Sequence, residues 1–156
     1  PLIINHQSDT RDPQKVISSH GSSYKGLSHL VKAVSVPHLK DIDTDKHQVI
    51  GIDEAQFFDD LVEYVQLWVK AGKHVYVAGL DSDFKGHKFG HIADLLPEAD
   101  TFVKMQAICE TCLSRNQTFT PASFTSKHSG SSSTQVEIGG HDLYVPTCRR
   151  HHTSRV

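Results

Sequence analysis

Val49-Ile50-Gly51-Ile52-Asp53-Glu54-Ala55-Gln56-Phe57-Phe58 decides the reading of this chain. Apolar residues surround a single glycine, and then two carboxylates arrive side by side, followed by an amide and two aromatics. The pattern predicts a buried strand over Gln48–Asp53 that ends abruptly in polar chemistry. Open α/β sheets bind ligands at the carboxyl ends of their strands, and Asp53 and Glu54 fall at that edge. Adjacent carboxylates there suit two jobs: one serves a metal-bound phosphate, the other accepts a proton. The plainer alternatives are a strand-end cap for Asp53 and a solvated turn carboxylate for Glu54.

Outward from this strand the chain alternates. Leu2–Asn5, Lys32–Val36, His74–Leu80 and Phe102–Ile108 are short, apolar and rich in β-branched residues, as parallel strands buried on both faces are. Between the third and fourth strands, Asp59 to Ala71 predicts a helix with Leu61, Val65 and Trp68 on one face and Val62 and Val69 beside them. Asp59 and Asp60 favour its start, and Gly72 its stop. A shorter helix is expected over Gly90–Leu96, ending before Pro97. Strand, helix, strand implies right-handed crossovers and a parallel sheet, so the fold class is α/β.

The 156 residues suffice for a real core, and a formal net charge of −2 gives no basic field to attract nucleic acid. No run of apolar residues is long enough for a transmembrane helix, and no charged-then-apolar leader opens the chain, so a cytoplasmic protein without membrane or nucleic-acid partners is expected. The twelve histidines are scattered, and His6, His20, His29, His38, His47, His74, His87 and His91 read as polar surface or loop residues.

Residues 109–156 differ in character from residues 1–108. They hold all three cysteines, a Ser- and Gly-rich loop over Ser126–Thr134, and two strand-like runs, Thr134–Ile138 and Asp142–Val145, with a turn at Gly139-Gly140. A lobe this small needs a staple. Cys109-x-x-Cys112 and Cys148-x-x-His151, 35 residues apart, provide two ligand pairs of the spacing that builds tetrahedral structural zinc. His152 competes with His151 for the fourth position.

The next strand repeats the motif of acid followed by aromatic: Gly79-Leu80-Asp81-Ser82-Asp83-Phe84-Lys85-Gly86. Phe57 and Phe84 suit the walls of a pocket for a flat ring, although isolated aromatics also serve as core. Asp9-Thr10-Arg11 follows the first strand at the same edge, where an arginine can clamp phosphate oxygens.

Taken together, Asp53-Glu54-Ala55-Gln56-Phe57-Phe58, Gly79-Leu80-Asp81-x-Asp83-Phe84-Lys85-Gly86-x-x-Phe89-Gly90, Leu95-Leu96-Pro97, Cys109-x-x-Cys112 and Glu137-Ile138-Gly139-Gly140 with Tyr144 and Cys148 resemble the type II, zinc-containing thymidine kinases. The order and spacing agree from Asp9 to His151. The resemblance implies a P-loop-type α/β core over 1–108 and a zinc lobe over 109–156 carrying a lasso loop over the nucleoside. It implies γ-phosphoryl transfer from Mg-ATP to the 5′-hydroxyl of thymidine, with deoxyuridine as a possible second substrate. Glu54 matches the general base and Asp53 the magnesium-side acid. Asp9, Thr10, Arg11 and Gln56 fall where the family contacts the nucleotide. Phe57, Leu80, Phe84 and Phe89 match the substrate side around thymine, and Thr125, Gln135, Val136, Glu137, Ile138, Gly139 and Tyr144 the lasso side. Cys109, Cys112, Cys148 and His151 match the zinc ligands. Family members are commonly tetramers, so a homotetramer or homodimer is expected, with thymidine triphosphate as feedback inhibitor.

The sequence departs from the family in one large respect. No G-x-x-x-x-G-K-[ST] occurs in it. The family places that phosphate loop upstream of the strand that is Leu2–Asn5 here. The first strand, the loop and the following helix are therefore expected to precede Pro1 in a longer protein. The alternative from a different class is a non-catalytic nucleoside-binding module that keeps the pocket and the zinc. A zinc-ribbon nucleic-acid binder fits poorly, because Arg149 and Arg150 do not amount to a basic, aromatic face.

Overall fold

A computed structural model describes residues 1–9, 18–19, 22–23, 31–127 and 143–152. These fall into two compact units, Pro1–Asp81 with Phe89–Pro97, and Ser82–Lys88 with Glu98–Val156.

The first unit is built on strand β1 (Leu2–His6), in which Leu2, Ile4 and His6 point inward in strict alternation. A short antiparallel pair, β2 (Ser18–Ser19) and β3 (Ser22–Ser23), precedes β4 (Lys32–Val36). β4, β1, β5 (Val49–Ile52) and β6 (His74–Val77) lie in that order in one sheet, and every pairing is parallel. Ile4 stands opposite Val34 on one side and Ile52 on the other. The branched side chains that favour extended backbone thus also fill the space above the sheet.

Helix α1 (Leu61–Lys70) closes that face. Leu61 and Trp68 are buried against Leu2, Ile4, Ile50, Ile52, Leu39 and Phe58, with Val62 and Val65 packed at the margin. Val69 is 52% exposed, because its position rotates it out of the apolar stripe. Asp60 stands at the helix start without capping it. Its two carboxylate oxygens instead accept the backbone N–H groups of Leu39 and Lys40 at 3.2 and 3.1 Å, joining the helix to the turn at Leu39–Asp41. At the other end Gly72 adopts φ +79°, with Gly72 N–H donating to Val69 O and Lys73 N–H to Trp68 O, a Schellman stop.

Three elements differ from their sequence expectation. β6 ends at Val77 rather than Leu80, because the backbone N–H of Leu80 turns away to a side chain, the Gln56 amide oxygen. The turn over Ile92–Glu98 is 3-10 rather than α, and it runs through Pro97. Phe102–Ile108 is not a sheet strand. Only β7 (Ala107–Ile108) is extended, paired antiparallel with β8 (Pro121–Ala122) in the second unit. Phe102, Val103 and Met105 are 52%, 68% and 84% exposed. Strand propensity expresses itself only against a partner strand, and residues 102–106 pair with none among the described residues.

In the second unit, α2 (Glu110–Asn116) follows β7, and β9 (Phe124–Lys127) pairs antiparallel with β10 (Tyr144–Thr147). Ser126 and Lys127, expected in the Ser-rich loop, belong to β9. Ser126 is buried there, with its hydroxyl 2.9 Å from that of Thr147. The expected run Thr134–Ile138 and the turn at Gly139-Gly140 lie outside the described residues.

Candidate active-site edge and metal centre

In the first unit the chain leaves β5 through a tight sequence of contacts. Asp53 N–H donates to Ile4 O and Ala55 N–H to Ala78 O, so the backbone after the strand is pinned from both neighbours. Between these two anchors Glu54 takes a left-handed conformation, φ 51° and ψ 39°. A non-glycine residue held there costs roughly 1–2 kcal/mol and persists only where its surroundings dictate it. Asp53 supplies part of that dictate, since its Oδ1 accepts the Glu54 N–H at 2.9 Å.

The Glu54 carboxylate is held in turn. Gln56 Nε2 donates to Glu54 Oε2 at 2.6 Å, while Gln56 Oε1 accepts the Leu80 N–H at 3.0 Å. Gln56 is 4% exposed. Phe57 follows it, half-buried, with Phe89 edge-on at 5.6 Å and the ring of His6 at 5.6 Å on its other contact. Leu80 is 49% exposed beside them. Asp9 is half-buried. Its N–H bonds to His6 O and its Oδ2 accepts the Asn5 side-chain amide at 3.1 Å. The edge of this unit therefore assembles Asp9, Asp53, Glu54, Gln56, Phe57, Leu80 and Phe89, whereas Thr10 and Arg11 lie outside the described residues.

His6 belongs to this edge, although the sequence reading placed it among surface histidines. It is 9% exposed, T-shaped against Phe58 at 4.7 Å. Its Nε2 donates to Pro37 O and its Nδ1 accepts the Ser8 N–H, both at 3.1 Å, an arrangement only the neutral ring satisfies. Burial, helped by His38, holds its pKa below the usual value against the opposing pull of the Pro37 carbonyl, Asp59 and Asp60. The signal was available in the alternation Leu2, Ile4, His6. Asn5, which orients Asp9, carried no such signal.

In the second unit Phe84 rides a turn organised by Asp83. That carboxylate is buried and accepts the N–H groups of Lys85 and His87 at 2.9 and 2.8 Å, so this acid shapes the loop. The Phe84 ring lies 6.2 Å from Tyr144, with the ammonium groups of Lys127 and Lys85 at 5.1 and 5.5 Å. Thr125 sits on β9 opposite Pro146. Gln135, Val136, Glu137, Ile138 and Gly139 lie outside the described residues.

The same unit gathers Cys109, Cys112, Cys148 and His151, whose ligand atoms all lie within 4.8 Å of one another. A zinc tetrahedron with Zn–S of about 2.3 Å and Zn–N of about 2.0–2.1 Å has edges of roughly 3.8 Å between sulfurs and 3.6 Å between sulfur and nitrogen. The Cys112–Cys148 sulfurs are 3.9 Å apart, and His151 Nδ1 stands 3.6, 3.4 and 3.4 Å from Cys109, Cys112 and Cys148. The cluster is therefore tetrahedral in size and could hold a metal ion such as zinc. All three cysteines are free thiols. Burial pushes the Cys109 thiol up, but N–H donors at Cys148 and Cys112, with the side chains of His151 and Cys148, outweigh it and bring it down to about 6. At Cys112 the Thr120 side chain lowers the pKa, yet burial and the sulfurs of Cys109 and Cys148 raise it on balance. His152, the competing ligand of the sequence reading, faces elsewhere. Its ring stacks on Phe124 at 4.8 Å and its Nδ1 meets Ser126 Oγ at 3.3 Å.

A family model described as thymidine kinase matches residues 1–152. The chain belongs to the thymidine kinase family. It is 47% identical over 109 residues to a thymidine kinase of rice (Oryza sativa subsp. japonica), covering 69% of this chain and 38% of the rice protein. It is 36% identical over 152 residues to the thymidine kinase of Choristoneura fumiferana entomopoxvirus, covering 95% of this chain and 77% of the relative. Against thymidine kinase a of Arabidopsis thaliana the identity is 36% over 152 residues, 96% of this chain and 61% of that protein. The chain thus spans well under half of the rice thymidine kinase and less than two thirds of the Arabidopsis one. Among its described residues no helix is long and apolar enough to cross a membrane.

Proposed function

We propose that this protein acts as a thymidine kinase in which Glu54 takes the proton of the thymidine 5′-hydroxyl. The observation that carries the reading is the left-handed Glu54 at the carboxyl end of β5, its carboxylate held by a buried amide, within a chain that matches the thymidine kinase family from end to end of its described residues. The oxygen–phosphorus bond to the 5′-oxygen forms, the bond from the γ-phosphorus to the β,γ-bridging oxygen breaks, ADP leaves, and the proton goes to Glu54. Positioning and charge neutralisation do most of this work. Asp53 belongs on the magnesium side, with Asp9, Thr10 and Arg11 toward the nucleotide. By resemblance to the family, Phe57, Leu80, Phe84 and Phe89 are assigned to the thymine side, and Thr125, Gln135, Val136, Glu137, Ile138, Gly139 and Tyr144 to the lasso side. The nucleotide-binding core belongs to the first unit and the zinc lobe to the second, in which Cys109, Cys112, Cys148 and His151 hold a structural ion with no position left open. Thymidine triphosphate as inhibitor, a homotetramer or homodimer, a cytoplasmic location and a role in nucleoside salvage complete the reading.

One observation favours a second reading. No phosphate-loop motif lies within these 156 residues, and a glycine-rich turn with its lysine is what cradles β- and γ-phosphates; a nucleoside-binding module that keeps the pocket and the zinc needs no such turn. The chain would then bind nucleoside without transferring phosphate. ATP-dependent phosphorylation of thymidine, assayed on this chain and on one extended through the upstream coding sequence, separates the two. Thymidine monophosphate from the extended chain supports the kinase, and none from either sinks it.

A further inference from the structure

We infer that Gln56 is a positioning residue. Its side-chain amide fixes the distance between Leu80 and the Glu54 carboxylate, and so sets which pyrimidine nucleosides place their 5′-hydroxyl within reach of the proton acceptor. This deepens the kinase reading and rests on it. Gln56 is 4% exposed and uses both ends of its amide inside the protein, Oε1 on the Leu80 N–H at 3.0 Å and Nε2 on Glu54 Oε2 at 2.6 Å. The orientation is unique. Flipping the amide would set an oxygen against the carboxylate and an NH2 group against an N–H, leaving two buried pairs of like groups. The flanking backbone is shaped to this side chain. A Cβ on Gly79 would collide with Gln56 Oε1 and Ile92 Cδ1, and a Cβ on Gly90, at φ +58°, would collide with the Gln56 backbone carbonyl. Glycine at position 79 lets the chain approach the side-chain amide, and glycine at position 90 lets it approach the Gln56 backbone.

Glu54 is thereby restrained twice by independent groups. Asp53 Oδ1 holds its N–H, which sets the backbone, and Gln56 Nε2 holds its carboxylate, which sets the side chain. The second restraint starts at the backbone of Leu80, whose half-exposed side chain stands on the thymine side in the proposed pocket. Gln56 thus works as a spacer between the wall that takes the base and the group that takes the proton. A misplacement of about 1 Å at such a site can cost on the order of a hundredfold in rate.

Gln56→Glu tests this, because it keeps an oxygen for the Leu80 N–H and replaces the donor to Glu54 by a second carboxylate oxygen that repels it. In the full-length protein, kcat for thymidine is expected to fall about 10- to 100-fold with thymidine KM within about twofold. In a Glu54→Gln background the same change is expected to cost no further kcat. Glu54→Gln at full turnover would overturn the base assignment. An impaired Glu54→Gln beside a Gln56→Glu with unaltered kcat, or losses that simply add, would overturn the positioning role alone. A third arm needs no turnover. The Gln56 side-chain NH2 resonances in a 15N spectrum should shift strongly in Glu54→Ala, and unmoved resonances overturn the bridge.

Discussion

The ring of Phe89 stands perpendicular to that of Phe57, 90° between planes and 5.6 Å between centroids. Phe57 lies within the first unit's main segment and Phe89 opens its second one, and neither ring is fully buried. An edge-to-face pair is worth about 1 kcal/mol beyond area burial. Phe89 thus sets the tilt of the ring proposed to lie against thymine. Phe89→Leu is expected to weaken thymidine binding about fivefold, read by calorimetric titration, while Leu96→Ser at an exposed site leaves it unchanged. Equal affinities for wild type and Phe89→Leu would show that the Phe57 tilt does not matter.

His6 gives the fold a pH dependence whose sign is fixed by its depressed pKa. Near neutrality the ring is uncharged in both folded and unfolded chains, and its burial contributes in full. As pH falls below 6.5, the ordinary value, the unfolded chain takes up a proton before the folded one does. Stability therefore drops on acidification, by at most about 1.4 kcal/mol per pH unit from this one group, until the folded ring also protonates. Urea unfolding of wild type and His6→Gln at pH 7 and pH 5 isolates the effect. The wild-type advantage should shrink at pH 5, and a constant difference would rule out His6 as its source.

Gly72 and Gly90 both have positive φ, yet their surroundings differ. A Cβ on Gly72 meets nothing within 4 Å, so Gly72→Ala should cost only the left-handed backbone term, about 1 kcal/mol. Gly90→Ala adds a collision with the Gln56 backbone and should cost about 3 kcal/mol or more. Denaturant midpoints measure both, and equal costs would mean that the close approach at Gly90 is slack.

The cysteine–histidine cluster predicts about one zinc per chain by atomic absorption. Structural zinc in small modules supplies on the order of 10 kcal/mol of folding free energy, so chelation or Cys148→Ser should unfold the second unit around β9 and β10. Amide exchange is the readout. Protection of Phe124–Lys127 and Tyr144–Thr147 should collapse while that of Leu2–His6 and Val49–Ile52 persists. Retained protection in metal-free protein would remove the metal from the account of stability.

The sequence made the parallel sheet legible because β1, β4, β5 and β6 each satisfy a local rule, β-branched runs between turn signals. It made the ligand set legible because cysteine and histidine spacing maps directly onto a tetrahedron. The choice of His151 over His152 needed three dimensions, since it turns on Phe124 and Ser126 claiming the His152 ring. Phe102–Ile108 misled for a related reason. Its residues favour extended backbone, but a strand is a relation between two segments. Gln56 was legible as a site residue, while its engagement with Leu80 and Glu54 depends on contacts 24 and 2 residues away that no pattern announces. The left-handed Glu54 was equally hidden, because only glycine, asparagine or aspartate would have advertised such a backbone.

Cys112 and Cys148 lie 36 positions apart in the chain and 3.9 Å apart in space. A clasp on so long a span makes the stability of the lobe nearly indifferent to the length of what it encloses, since doubling a closed loop costs only about 0.6 kcal/mol of chain entropy. Only what lies outside β8, β9 and β10 can therefore lengthen or shorten at so little cost, while the four clustered side chains mark the two ends of the span.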